Sequence, residues 1–141
     1  MIGLAVGTVV AKQSYHFTRD TLVRYAGASG DFNPIHYRDD VASAVGLPGV
    51  LAHGMLTMGV AVQPVVEWLG DPARILDYQV RFTRPVVVDP EEGAKVEVVA
   101  TVAVLDEPVD GVEPRTARID LTVTFGGQTV LGKAQVRVVL P

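Results

Sequence analysis

Along the second half of the chain, hydrophobic residues recur at every second position. Tyr78, Val80 and Phe82 alternate with Gln79 and Arg81; Val96, Val98, Ala100, Val102 and Val104 keep the same step; Ala117, Ile119, Leu121, Val123 and Phe125 alternate with Arg118, Asp120, Thr122 and Thr124. A period of two marks strands with one buried face. A last run, Val130, Gly132, Ala134, Val136, Val138 and Leu140, follows Gly126-Gly127, a pair suited to a tight hairpin turn. The three C-terminal strands are expected to form an antiparallel meander.

The first half has another rhythm. A strand is expected around Thr8 to Phe17, and Thr18 suits the cap of a short helix running to about Gly27. Asn33-Pro34 fits an N-cap and first-turn pair opening a short helical turn that carries His36, and Asp39 or Asp40 suits the cap of another short helix ending near Gly46. From Gly54 to Leu69 the apolar residues leave almost no polar face, which predicts a long buried helix; Pro64 inside it predicts a kink or an early end. One such helix against a curved antiparallel sheet is the simplest cover for both apolar surfaces, an α+β layer architecture.

Composition narrows this only modestly. A length of 141 residues suits one domain, expected over 1–141. There is no apolar run approaching the ~20 residues of a membrane span and no secretory leader pattern. Cysteine is absent, so no disulfide framework is expected, and the cytoplasm is the expected compartment. A net charge of −4 without a basic block speaks against nucleic acid or an anionic membrane as the main partner.

Candidate chemistry is concentrated between residues 25 and 58. The stretch reads Tyr25-Ala26-Gly27-Ala28-Ser29-Gly30-Asp31-Phe32-Asn33-Pro34-Ile35-His36, then Gly46-Leu47-Pro48-Gly49, then Ala52-His53-Gly54-Met55-Leu56-Thr57-Met58. An ionised Asp and a near-neutral His at Asp31 and His36 can share one water, one accepting its proton while the pair passes a proton onward. Gly54, at the expected start of the buried helix, offers a free backbone N–H and the positive end of the helix dipole to a developing negative charge. The glycines at 27 and 30 lack the spacing of a dinucleotide loop, and no His-x-His or Cys pattern suggests a metal site. Neither cofactor nor metal is expected. Met55 and Met58 read as core filler or as the lining of an apolar tunnel.

These strings, with Val80-Arg81-Phe82, the following Pro85 and the length of the chain, resemble the MaoC-like, R-specific enoyl-thioester hydratases and dehydratases. The resemblance implies a hotdog fold, in which the sheet wraps a central helix. It also implies reversible hydration of a trans-2-enoyl thioester of coenzyme A or acyl carrier protein to the (3R)-3-hydroxyacyl product. Asp31 and His36 become the catalytic pair and the Gly54 amide the oxyanion donor, with Ser29, Asn33 and His53 in support. The resemblance is strongest to the catalytic subunit of heterodimeric (3R)-hydroxyacyl-carrier-protein dehydratases, whose other subunit lacks the catalytic residues. A homodimer is nonetheless expected, with such a motif-less partner as the alternative. Many relatives carry an Asp two residues after the His, whereas this chain has Tyr37-Arg38 followed by Asp39-Asp40. Two other functions compete: a hotdog thioesterase, for which Glu67 is the one carboxylate on the helix, and a non-catalytic acyl-binding subunit. His16, between Tyr15 and Phe17, reads as structural or solvated.

Overall fold

The computed structural model describes residues 3–106, 108 and 114–141. Strand β1 (Val9–Phe17) leads into helix α1 (Arg19–Ser29), and a 3-10 turn at Pro34–His36 precedes helix α2 (Asp39–Ala44). Helix α3 (Gly54–Leu69), a second 3-10 turn at Pro72–Arg74, and strands β2 (Ile75–Phe82), β3 (Ala94–Asp106), β4 (Thr116–Phe125) and β5 (Gln128–Val139) complete the fold. The strands form one antiparallel sheet in the order β1-β3-β4-β5-β2, in which β3, β4 and β5 are the expected meander. Gly126 and Gly127 turn the β4–β5 hairpin with φ of 58° and 76°, angles open to glycine at little cost.

The register explains the core. Val98 pairs with Val123, Ala100 with Leu121 and Val102 with Ile119, while Ile119 and Leu121 pair in turn with Val136 and Ala134. Directly opposed residues share a sheet face, and this face is the buried one, curled against α3. Thr57, Ala61, Pro64, Val65 and Leu69 are the buried residues of α3. Tyr78 on β2 donates its hydroxyl to the Met58 carbonyl at 2.8 Å, tying strand to helix, and burial pushes that hydroxyl's pKa up.

Several expectations need correction. Helix α1 runs past Gly27 and ends at Gly30, whose φ of 76° makes the left-handed cap. Thr18 caps it as expected, in a reciprocal box with Thr21. Asp39 and Asp40 lie in the first turn of α2 while Arg38 holds the cap position. There Asp39 pairs with Arg19 at 2.8 Å and Asp40 with Arg38. Pro64 does not end α3, because its ring is buried and packing outweighs one missing backbone hydrogen bond. Nor is α3 buried all round: Met55 is 60% exposed, and Gly59, Gln63 and Glu67 are exposed with it. On β5, strict alternation breaks. Val130 and Leu131 are both buried, and the register slips between the pairs Leu121–Ala134 and Val123–Leu131. An extra residue in one strand is a bulge, and Lys133, at φ 45°, sits in it.

Candidate active site

The loop after α1 is built from short side-chain to backbone bonds. The Asp31 N–H donates to Ser29 Oγ at 3.1 Å, the Asn33 N–H to Asp31 Oδ1 at 3.2 Å, and the Ile35 N–H to Asn33 Oδ1 at 3.3 Å. Such turns are what Ser, Asp and Asn do best when the backbone has no helix or ladder partner. They leave Asp31 Oδ2 uncommitted, 4.0 Å from His36 Nε2. His36 is buried, whereas the Asp31 side chain is 52% exposed.

The tautomer of His36 follows from its other nitrogen. Nδ1 lies 2.6 Å from the Leu51 carbonyl oxygen. A carbonyl only accepts, so Nδ1 carries the proton, and the tautomer this selects for a neutral ring is the one with a bare Nε2 toward Asp31. This backbone group supplies the orienting contact that the resemblance places on an acid after the His. Asp39 and Asp40 are engaged elsewhere, each held below the ordinary carboxylate pKa first of all by its arginine hydrogen bond.

His53 occupies the N-cap position of α3 without capping it through its side chain. Its ring stacks on that of His36, with centroids 3.8 Å apart and planes 22° from parallel, and Tyr25 meets it edge-on at 4.8 Å. Nε2 donates to the Asp31 carbonyl at 3.1 Å, while Nδ1 is buried without a partner among the described residues. Burial is the main reason its pKa lies below the ordinary value.

A cavity of about 330 Å³ opens beside this cluster, walled by His36, Gly54, Thr57, Phe82, Arg84 and apolar neighbours. Asp31 is not part of its wall, whereas its neighbour His36 is. Gly54 begins α3, and a Cβ there would stand 2.9 Å from the Phe82 ring, so only glycine lets helix start and ring lie this close. Ser29, Asp31, Asn33, His36, His53 and Gly54 are thus brought together. His16 is not; it donates to the Glu92 carbonyl at 2.7 Å on the β1 side. Met55 is surface and not core. The sequence pattern missed the Leu51 carbonyl, which has no side-chain signature, and the Phe82 wall, whose one trace was an aromatic at the end of a strand.

Asp31, His36 and His53 also offer ligand atoms within 4.8 Å of one another, a grouping that sequence spacing hid. In that grouping His53 Nε2 is already bonded to the Asp31 carbonyl and His36 Nδ1 to the Leu51 carbonyl. Among the described residues no helix is long and apolar enough to cross a membrane.

Known proteins share this arrangement of chain. The MaoC like domain matches residues 4–118. A 3-hydroxyacyl-thioester dehydratase X of Mycobacterium tuberculosis (strain ATCC 25618 / H37Rv) is 39% identical over 70 residues, which is 50% of this chain and 24% of that protein. This chain therefore spans about a quarter of that relative. Among solved structures, a MaoC-like dehydratase superposes with a TM-score of 0.91 at 35% identity, covering 99% of this chain and 41% of the other. The R-hydratase PhaJ1 from Pseudomonas aeruginosa, unliganded, gives 0.79 at 26% identity over 98% and 83%. Matched over most of its length and folded as a sheet around one helix, the chain belongs to the MaoC-like hydratase and dehydratase family.

Proposed function

We propose that the protein reversibly hydrates trans-2-enoyl thioesters of coenzyme A or acyl carrier protein to (3R)-3-hydroxyacyl thioesters. The observation that carries this reading is the pairing of Asp31 Oδ2 with a bare His36 Nε2 at 4.0 Å, beside the Gly54 end of an apolar cavity. Two hydrogen bonds of about 2.8 Å over that base meet at one water oxygen at about 90°, so a single water fits both groups.

The water oxygen bonds to C3 of the enoyl group as its proton passes to the pair. The electron pair of the C2–C3 double bond moves toward the thioester carbonyl, and its oxygen gains negative charge. The Gly54 N–H meets that charge at the positive end of α3. C2 then takes a proton from the pair, so one water has been added and the pair is restored. Dehydration is the same path reversed.

The thioesterase reading finds less support, because Glu67 is exposed and is not part of the cavity wall. A single domain over 1–141 acting as a homodimer fits the reading: among the described residues β1 and β2 are the unpaired edges of the sheet, and part of α3 is open. The test mixes purified protein with crotonyl-CoA, follows the loss of enoyl absorbance and resolves the product on a chiral column. The R-3-hydroxy isomer is expected; no hydration, or an S product, would overturn the proposal.

A further inference from the structure

We propose that His53 is a positioning residue that holds Asp31, His36 and the Gly54 amide in one arrangement and, fixed as the neutral Nε2–H tautomer, confines the proton of the reacting pair to His36. The inference rests on the hydration reading above for what is positioned, and on geometry for the rest.

His53 touches each part of the site by a different means. Its Nε2–H holds the Asp31 carbonyl, its ring face lies on His36, and its own peptide continues into Gly54. Its carbonyl accepts the Leu56 and Thr57 N–H groups at 3.1 and 3.2 Å, which anchors the residue to the first turn of α3. Asp31 itself is otherwise held by exposed, local bonds, so this contact joins the Leu51 bonds to Ile35 and His36 in setting where the loop stands relative to the helix.

The unpartnered Nδ1 gives the second half of the argument. Ring and donor together exclude the usual core residues: phenylalanine supplies the stack without the N–H, and glutamine the N–H without the stack. Imidazole supplies both and leaves Nδ1 as a bare acceptor. The residue is 1% exposed. A proton on Nδ1 would place a buried N–H with no acceptor directly against His36, and among the described residues no carboxylate oxygen bonds His53. The groups packed on it are the Tyr25 ring from α1, the Asp31 carbonyl from the loop, and His36 from the 3-10 turn. The Asp31 carbonyl and the nearby Asp31 carboxylate favour a charged ring, but burial, the largest effect, and His36 oppose it, and neither Asp31 group bonds Nδ1. A neutral ring beneath His36 instead offers its π face to an imidazolium there.

The test joins imidazole nitrogen NMR on the histidine-labelled protein with kinetics of two variants. The chain has three histidines, so variants at each assign the signals. His53 is expected to remain neutral with its proton on Nε2 between about pH 5 and 8. A His53 that charges midway through that range, or carries its proton on Nδ1, would overturn the proposal. In crotonyl-CoA hydration, His53→Phe should lower kcat on the order of 10²-fold with little change in KM, as expected for slight misplacement of reacting groups. His53→Gln, which keeps the donor, should recover part of that loss. Equal kcat in wild type and both folded variants, or a loss confined to KM, would show a packing role only. If wild type hydrates nothing, the functional reading fails, while the NMR result still decides the state of His53.

Discussion

Replacing Asp31 with Asn isolates one charge from the loop that carries it. The amide oxygen of Asn can still accept the Asn33 N–H that Asp31 Oδ1 now accepts at 3.2 Å, and the backbone bonds to Ser29 and His53 do not involve the side chain. With the side chain 52% exposed, stability should change by no more than about 0.5 kcal/mol. Turnover should not be so forgiving. At the 4.0 Å separation from His36 Nε2, a full charge pair is worth about 1 kcal/mol in water and about 4 kcal/mol at an effective dielectric of 20. That attraction supports the imidazolium formed as the water gives up its proton, and it is lost together with a proton acceptor. Loss of one positioned acid or base costs roughly 10²- to 10⁴-fold, so kcat for crotonyl-CoA should fall within that span while KM moves little. The measurement is initial-rate hydration by wild type and variant, with thermal melts of both. A folded Asp31→Asn protein turning over at near the wild-type rate would refute the shared-water argument.

Three further outcomes follow from the geometry. Gly54→Val should displace the Phe82 ring, which a Cβ would meet at 2.9 Å, and cut kcat by about 10²- to 10³-fold while binding of a saturated acyl-CoA, followed by calorimetry, weakens less. Gly93→Ala should lower stability by more than about 2 kcal/mol in urea melts, since its φ is +72° and its Cβ would stand 2.3 Å from the Phe17 carbonyl oxygen. Melts at falling pH should show two stages. His53, held neutral by burial, contributes stability that is complete above its ordinary value of 6.5 and declines below it. Asp39, Asp40 and Asp89, whose pKa values fold lowers, contribute above their ordinary value of 3.8 and lose it as pH falls further. A melting temperature flat from neutral pH to about pH 4 would contradict the assignment for His53.

What the sequence determined by itself was whatever repeats at short range. The alternation in β3 and β4, the glycine pair of the hairpin, the Thr18 cap and the Asn33-Pro34 turn each depend on neighbours within a few residues, and each is seen in the structure. The Asp31-to-His36 string was legible for the same reason, because its turns are closed by its own side chains. Local pattern could not tell that Pro64 is tolerated inside α3, since the packing that offsets its missing hydrogen bond comes from strands elsewhere in the chain. Alternation alone put Gly132 inward, whereas a bulge, set by how β5 must fit both β4 and β2, put Leu131 there. Two features of the site are purely tertiary. The Leu51 carbonyl that sets the tautomer of His36 is a backbone group 15 residues away, and the stack of His53 on His36 exists only because the start of α3 is packed behind the loop. Side-chain identity proposes the groups; the fold decides which nitrogen of each ring is left free to act.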